Sequence, residues 1–342
     1  MLSIDENLGY QADYAVAKVA LTRRPVAYTV QSMLAGAYIG VAVMLMVSAA
    51  GPLLAVGSPA TRLVQGLVFG VALTLVYTAG GELVTSTMMT TTIGAWRRTI
   101  TWFEAGRTIL FCFAGNMLGA FAFATMLHLT GLLERTTPAG AMLAGMLEAK
   151  GTETSGELFW RGVLCNMLVC VAMWSASRLR SEVARLVTIF WCLLAFITSG
   201  FEHVVANMTT FGVGLVSGLP ETGWADFGRN MTVVGLGNLV GGAVVVGLAY
   251  AVSASRRTAA AVAATAGAVP AGAGQVPDGP GTTPAAPGLR TDADARAGVR
   301  AREAAGAHEG VDATAVAWSC ANFSPVVRED GTREPQRATA QV

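Results

Sequence analysis

The stretch Ser199-Gly200-Phe201-Glu202-His203-Val204-Val205-Ala206-Asn207-Met208 lies inside a hydrophobic region that is long enough to cross a membrane. The apolar run of residues 188–197 precedes it directly, and apolar residues follow it up to Val216. Glu, His and Asn side chains are costly at the depth of a bilayer, where they face a protein interior or a water-filled path. We therefore predict that Glu202, His203 and Asn207 belong to a functional site.

The composition of the chain is typical of a membrane protein. Of its 342 residues, 53% are hydrophobic and 13% are charged, whereas a soluble domain carries about 25% charged residues. The formal net charge of +1 argues against a nucleic-acid-binding protein, which would show a basic patch or stripe. The 5 Cys residues show no metal-ligand spacing, so neither a metal nor another cofactor is expected.

Six apolar segments are predicted to cross the membrane, at about residues 26–50, 63–79 with a second half from residue 88, 109–132, 158–177, 186–219 and 231–253. The pair Gly51-Pro52 is expected to end the first segment, and residues 133–157 are interpreted as an acidic loop. Lys and Arg collect before the first segment, between the second and third, between the fourth and fifth, and after the sixth. Both termini are therefore predicted to be cytoplasmic.

The chain divides into three parts by composition. Residues 1–25 are predicted to form a cytoplasmic amphipathic helix along the inner membrane surface, with a polar N-terminal arm as the alternative. The helical spacing that supports the helix is that of Leu8, Ala12, Ala15, Val16 and Val19. Residues 26–253 form the six-span transmembrane domain. Residues 254–342 are predicted to be a disordered cytoplasmic tail, because they contain almost no large apolar residues from which to build a core.

The second and fifth segments are each interrupted by a polar stretch marked by glycine, and each stretch holds a glutamate, Glu82 or Glu202. The third and sixth segments hold matching motifs, Gly115-Asn116-Met117-Leu118-Gly119 and Gly237-Asn238-Leu239-Val240-Gly241. Three spans per half is an odd number, so the halves would insert in opposite orientations. The sequence thus predicts an all-α polytopic membrane protein in which six transmembrane helices form an inverted three-plus-three repeat with two broken helices. Paired interruptions of this kind indicate a permeation site.

Six motifs, taken together and in this order, carry a family resemblance: Ala35-Gly36-Ala37-Tyr38-Ile39-Gly40, Gly81-Glu82-Leu83-Val84-Thr85, Gly115-Asn116-Met117-Leu118-Gly119, Gly162-Val163-Leu164-Cys165-Asn166-Met167-Leu168-Val169-Cys170, Gly200-Phe201-Glu202-His203 with Ala206-Asn207-Met208, and Gly237-Asn238-Leu239-Val240-Gly241-Gly242. The chain resembles the formate/nitrite transporter family, and its nitrite-channel branch most closely. The resemblance covers about residues 8–253. It implies an aquaporin-like protomer in the lipid bilayer of the cytoplasmic (inner) membrane, a homopentamer with one pore per protomer, and nitrite or formate as the transported anion.

The resemblance also implies two constrictions in the pore. The cytoplasmic constriction would be lined by Leu73, Leu83, Val84 and Val169. The periplasmic constriction would be lined by Phe69 and Phe196. Members of the family often carry an aromatic residue where this chain has Val84, so the inner gate is expected to differ in width or shape.

Between the constrictions, the resemblance implies a polar centre. His203 would lie there, and Thr85 would approach it. Glu202 and Asn207 would orient the break, and Lys150 would attract anions at the outer vestibule. A carboxylate that faced the pore would repel an anion, which also favours a structural role for Glu202.

The physical chemistry of such a pore fits a weak-acid anion. A bare anion in a dry constriction loses hydration that is worth several kcal/mol. The N-termini of the half-helices after each break would place partial positive charge at the centre. His203 would donate a hydrogen bond or a proton, so that the acid passes the apolar rings in its neutral form. Asn116 and Asn238 are expected to cap or brace the opposing breaks.

Two other classes of function compete with anion transport. A membrane redox enzyme would need paired haem ligands, and the core offers only His128 and His203 without suitable partners, so the chain is not expected to be an enzyme. An aquaporin-like channel for water or small neutral solutes would have a similar shape but would need neither a protonatable centre nor Lys150. The sequence leaves open the choice among nitrite, formate and hydrosulfide, and that between a channel and a proton-coupled symporter.

Overall fold

A computed structural model of the chain describes residues 1–254, and every regular element in this part is helical. Residues 255–342, which hold nearly all of the predicted tail, lie outside the described residues. The helices are α1 (Ile4–Thr22), α2 (Pro25–Ala55), α3 (Thr61–Phe69), α4 (Val71–Ala79), α5 (Val84–Trp96), α6 (Trp102–Leu129), α7 (Pro138–Thr152), α8 (Ser155–Arg178), α9 (Glu182–Thr198), α10 (Val204–Val216) and α11 (Trp224–Leu239). A π-helical stretch, Val240–Leu248, continues directly from α11.

Five helical stretches within residues 1–254 are long and apolar enough to cross a membrane: Pro25–Ala55, Thr61–Ala79, Trp102–Leu129, Ser155–Arg178 and Trp224–Ala254. The second of these joins α3 and α4, which are separated only by Gly70. The predicted fifth segment, residues 186–219, contains α9 of 17 residues and α10 of 13 residues. The expectation of an all-helical chain with several membrane-length helices is confirmed for the described residues.

Polar capping residues, rather than the first apolar residue, fix where several helices begin. Thr101 accepts a hydrogen bond from the backbone N–H of Glu104, whose carboxylate accepts one in return from the backbone N–H of Thr101. Helix α6 therefore begins at Trp102 and not at about residue 109. The same reciprocal pattern begins α1 at Ser3 and α8 at Thr154.

Two predicted boundaries are wrong. Helix α2 continues through Pro52 to Ala55, because a proline within a membrane helix removes one backbone donor without ending the helix when its surroundings satisfy the freed groups. The predicted acidic loop of residues 133–157 contains α7, which Thr137 caps and Pro138 begins. The charged residues of this segment favoured the prediction of a loop. The segment nevertheless forms a helix whose apolar residues pack in the core, among them Met142, Leu143 and Leu147.

Glycines allow close contact in two helix pairs, α2 with α6 and α8 with α11. A Cβ atom added to Gly119 would lie 1.9 Å from the backbone oxygen of Met33, and one added to Gly237 would lie 2.3 Å from that of Phe159. Small residues let helix backbones approach within membrane proteins. The two glycine motifs of the sequence thus pack the helices that carry Asn116 and Asn238 against their neighbours.

Helix α1 buries one face against the rest of the protein. Leu8, Ala12, Ala15 and Val19 are buried, whereas Val16 is 44% exposed and lies off that face. The buried face also carries polar side chains: Asn7, Gln11 and Lys18. Its predicted position along the membrane surface stays a prediction.

Candidate functional site

Two short non-helical segments lie between consecutive helices at the centre of the described part. The first segment, residues 80–83, joins α4 to α5, and the second segment, residues 199–203, joins α9 to α10. Each contains a glycine in the left-handed region, Gly80 with a φ of 79° and Gly200 with a φ of 75°. Glycine adopts this conformation without the steric penalty of a Cβ atom, so these residues permit the chain to leave one helix and start another.

Asn116 of α6 holds the first segment. Its Oδ1 accepts a hydrogen bond from the backbone N–H of Val84 at 2.9 Å, which satisfies the first donor of α5. Its Nδ2 donates to the backbone oxygens of Glu82 at 2.7 Å and Ser32 at 2.8 Å. The amide is fully buried, so all three bonds are shielded from water.

Asn238 of α11 holds the second segment with the same set of bonds. Its Oδ1 accepts from the backbone N–H of Val204 at 2.9 Å, and its Nδ2 donates to the backbone oxygens of Glu202 at 2.9 Å and Gly162 at 2.8 Å. The sequence predicts that the two asparagines cap or brace the opposing breaks. Each of them instead contacts the segment of its own half of the sequence, because the helix that carries it packs beside that segment.

Each non-helical segment also places a glutamate in a buried ion pair. The Nζ of Lys150, from α7, lies 2.6 Å from both carboxylate oxygens of Glu202. The Nζ of Lys18, from α1, bonds to the carboxylate of Glu82. All four side chains are at most 10% exposed. Buried charges require a partner of opposite sign, and each lysine supplies it to one glutamate.

His203 is the residue that precedes α10, and both of its ring nitrogens have partners. Nδ1 accepts a hydrogen bond from the backbone N–H of Ala206 at 3.2 Å, so this nitrogen carries no proton in that arrangement. In the neutral ring the proton therefore sits on Nε2, which lies 3.3 Å from Oγ1 of Thr85. The ring stacks on Phe196 with 6.0 Å between centroids. The hydrogen-bond pattern assigns Nε2 as the donor that points away from α10.

A narrow cavity of about 10 Å³ brings His203 together with apolar side chains, and this volume is roughly that of one water molecule. Its lining consists of Ile39, Phe69, Ala72, Leu73, Leu83, Val169, Leu193, Phe196 and His203. Phe69 and Phe196 meet edge to face, with 5.7 Å between ring centroids. Five of the six predicted constriction residues and the predicted central histidine thus line one cavity.

A family model described as formate/nitrite transporter matches residues 7–252. The chain belongs to the formate/nitrite transporter family. It is 39% identical over 228 residues to the nitrite transporter NirC of Escherichia coli (strain K12). The aligned region covers 66% of this chain and 83% of that protein.

Two solved structures resemble this chain. One is an FNT family ion channel, with a TM-score of 0.69 and 35% sequence identity over 73% of this chain and 99% of that one. The other is a pentameric formate channel with formate bound, with a TM-score of 0.56 and 25% identity over 67% of this chain and 98% of that one. The family is one of transporters and channels.

Two residues of the chain do not take the positions that are predicted for them. Val84 is fully buried at the start of α5 and does not line the cavity. Lys150 is 8% exposed and its ammonium group is shared by both oxygens of Glu202, so it is an internal ion-pair partner in this structure. Asn207, which is predicted to support the break, donates from its Nδ2 to Glu202 at 2.6 Å.

Three contributors to the site were missed from the sequence. Lys18 pairs with Glu82, Asn230 accepts a hydrogen bond from Asn207 at 2.8 Å, and Asn166 donates to the backbone oxygen of Thr85 at 3.1 Å. Asn166 lies in an apolar span, where a polar side chain is costly unless it has a role in the protein interior. The same reasoning that singles out Asn116 and Asn238 therefore applies to Asn166. No group of three or more His, Cys, Asp or Glu side chains within residues 1–254 is arranged to hold a metal ion.

Proposed function

We propose that this chain carries a small monovalent weak-acid anion, nitrite or formate, across the cytoplasmic membrane through a pore in each protomer of a homopentamer. The observation that carries the proposal is the cavity that joins His203 to apolar rings of side chains between the two non-helical segments. The matched relatives support the substrate class, since they include a nitrite transporter and a formate channel. The pentamer is proposed from the likeness to the pentameric formate channel.

The matched contacts of the two halves support an inverted repeat of three spans each. Asn116 and Asn238 make corresponding sets of three hydrogen bonds around Glu82 and Glu202. Each glutamate pairs with a lysine from the helix that precedes its half, α1 or α7. The pairing therefore extends the proposed repeat by one helix at the start of each half. With an odd number of spans per half, the halves insert in opposite orientations, and both termini lie on the cytoplasmic side.

The cavity lining favours a permeant that is neutral at the narrowest point. Leu73, Leu83 and Val169 form the proposed cytoplasmic constriction, and Phe69 and Phe196 form the proposed periplasmic one; each is at most 2% exposed. These side chains offer no replacement for the hydration shell of an ion, whose loss is worth several kcal/mol. A protonated acid avoids this loss, so the rings select against ions that cannot take up a proton.

His203 is the proposed donor to the anion between the constrictions. Its Nε2 faces Thr85 across 3.3 Å, whereas Nδ1 is held by the start of α10. An anion that displaces the hydroxyl of Thr85 from Nε2 would receive a charge-assisted hydrogen bond there. To transfer this proton without leaving an imidazolate, the ring must first take up a second proton from water at Nδ1, in place of the hydrogen bond from Ala206. In the neutral ring, the hydrogen bond from Ala206 to Nδ1 keeps Nε2 directed at Thr85.

Flux into proteoliposomes tests the proposal. Uptake of nitrite and formate through the wild-type protein should rise as the external pH falls, because a larger share of the acid acquires its proton in transit. We expect His203→Phe to reduce flux by about ten- to hundredfold, the value of one hydrogen bond to a charged group. His203→Asn serves as the matched control, because asparagine can still cap α10 but does not titrate.

The same flux measurements can contradict the proposal. Both His203 variants should assemble. After the uptake by protein-free vesicles is subtracted, the uptake through either variant should no longer depend on pH. Wild-type pH dependence in either variant would refute the donor role of His203. Flux of water or glycerol without flux of nitrite or formate would instead identify a neutral-solute channel.

A further inference from the structure

An open groove of about 810 Å³ lies at the turn between α5 and α6, away from the pore. Its volume is within the range of about 300–1,000 Å³ of ligand pockets. Its walls include Trp96, Arg98, Thr101, Trp102 and Glu104. We propose that this groove binds the phosphate headgroup of an anionic phospholipid. This inference does not depend on which solute the pore carries.

The floor and the rim of the groove differ in polarity. Ala95 and Ile100 form an apolar floor that packs against Ala15 and Val19 of α1. Arg98 lies at the rim, is exposed, and makes no side-chain hydrogen bond within residues 1–254. A planar guanidinium with free donors matches phosphate oxygens in bidentate geometry.

The backbone at Arg98 supports a role for its side chain. Its φ of 59° makes it the one non-glycine residue with a positive φ among residues 1–254. This position follows the end of α5, where helices commonly place glycine, and its backbone N–H bonds to the oxygen of Ala95 at 3.1 Å. For the fold alone glycine would serve better here, since the left-handed conformation is strained for other residues.

Further positive charge surrounds the groove. Arg97 adjoins Arg98 and is exposed, and Arg23 and Arg107 lie close enough to Glu104 to stabilise its charge. The carboxylate of Glu104 accepts hydrogen bonds from the backbone N–H and the hydroxyl of Thr101, at 2.8 Å and 2.9 Å. Its negative charge is thus held at the start of α6, and the arginines leave the groove a net positive surface.

Exposed aromatic residues place the groove at the level of lipid headgroups. Trp96 is 44% exposed and Trp102 is 58% exposed, and the neighbouring Phe103 is 78% exposed. Tryptophan is enriched at membrane–water interfaces, where its ring contacts the boundary between headgroups and acyl chains. A phospholipid would therefore place its phosphate at Arg98 and its glycerol and upper acyl chains against the tryptophans. A soluble anion would use the arginine but not these rings.

Native mass spectrometry of the full chain in detergent micelles tests the proposal, with dioleoyl phosphatidylglycerol and dioleoyl phosphatidylcholine as probes. We expect the wild-type protein to retain phosphatidylglycerol preferentially. Arg98→Gly should weaken this binding by about tenfold, the loss of one charge-assisted contact. Arg180→Gly is the matched control, because it removes the same charge from another exposed, non-helical position. A general surface attraction would weaken binding by roughly fivefold per arginine at either position.

Three results would overturn the proposal: equal losses in Arg98→Gly and Arg180→Gly, release of bound phosphatidylglycerol by inorganic phosphate, or equal retention of both lipids. The first indicates general electrostatics, and the second a site for free anions. The melting temperature of Arg98→Gly without added lipid should equal or exceed that of the wild type, because glycine accepts the positive φ. Loss of lipid binding in a variant that is folded in this way supports the groove as a lipid site.

Discussion

Replacing Lys150 by Met and Glu202 by Gln, singly and together, separates two roles for the buried lysine. The family resemblance implies that Lys150 attracts anions, whereas the structure places its ammonium 2.6 Å from both oxygens of Glu202. If pairing is its role, the damage from losing the lysine comes from the carboxylate left behind. Removing that charge as well should then repair the damage.

The expected loss of stability follows from the burial of the pair. The two side chains are 10% and 7% exposed, so a charge left alone would be largely removed from water. Breaking a buried ion pair by removing one partner destabilises a protein by about 3–5 kcal/mol. Lys150→Met should lie at the lower end of this range, because the carboxylate of Glu202 keeps the hydrogen bond from Asn207 at 2.6 Å. The double variant should be less destabilised than either single variant.

Unfolding of the purified protein in mixed micelles measures the stability of the three variants, and proteoliposome uptake of formate measures their transport. We expect Lys150→Met to reduce both, and the double variant to recover both. A coupling energy of at least about 2 kcal/mol between the two sites would show that they act as a pair.

One result would refute the reasoning. If the double variant regained its stability but transported as slowly as Lys150→Met, the ammonium itself would be required for anion entry. The pair of Lys18 and Glu82 provides a control, because it is the buried ion pair at the corresponding place in the other half. If the double variant of one pair recovers transport and that of the other pair does not, the lysine of the pair that fails to recover is the one that attracts anions. The role would then belong to one side of the membrane.

Three further predictions concern the frame around the cavity. Asn116→Ala and Asn238→Ala should each lower the free energy of unfolding by about 2 kcal/mol, because each removes three hydrogen bonds worth about 0.6 kcal/mol apiece in a membrane protein; clearly unequal losses in mixed-micelle unfolding would contradict their equivalence. Gly119→Ala should destabilise the protein by about 1–3 kcal/mol, since the added Cβ would lie 1.9 Å from a backbone oxygen, whereas Gly106→Ala in the same helix has open space and should be neutral or stabilising. Thr85→Val should lower transport by about fivefold, because the hydroxyl that leaves Nε2 can donate one hydrogen bond to the anion and valine cannot. Thr85→Ser keeps the hydroxyl and should preserve transport; equal uptake by both variants would exclude a role for the hydroxyl.

Much of the helical framework was predictable, because apolar runs and glycine-marked interruptions are local features of a sequence. The stretches around Glu82 and Glu202 stand out from their surroundings by polarity alone, and the structure places both glutamates in non-helical segments. The glycine motifs around Asn116 and Asn238 were recognisable for the same reason. Helix starts were harder to predict, since a capping threonine lies outside the apolar run that it begins.

The partners of the buried charges were not predictable from local pattern. Lys18 and Glu82 are separated by 64 positions, and Lys150 and Glu202 by 52. Both lysines lie in segments with enough charge to resemble solvated surface, so the local sequence gives no sign that either ammonium is buried. Only the packing of α1 and α7 beside the two non-helical segments brings each ammonium to its carboxylate.

The two halves resemble each other in the scaffold and differ in the side chain presented to the cavity. Leu83 precedes α5 in the position that His203 occupies before α10, and both residues line the cavity. The hydrogen bonds of Asn116 and Asn238 and the two buried ion pairs are shared by both halves. They therefore account for the positions of the helix starts but not for selectivity. His203 is the one ionisable side chain among the nine residues that line the cavity. We therefore infer that a scaffold common to both halves positions the helix starts around this cavity, and that a histidine at one of two equivalent positions adapts the path to an acid that must gain or share a proton.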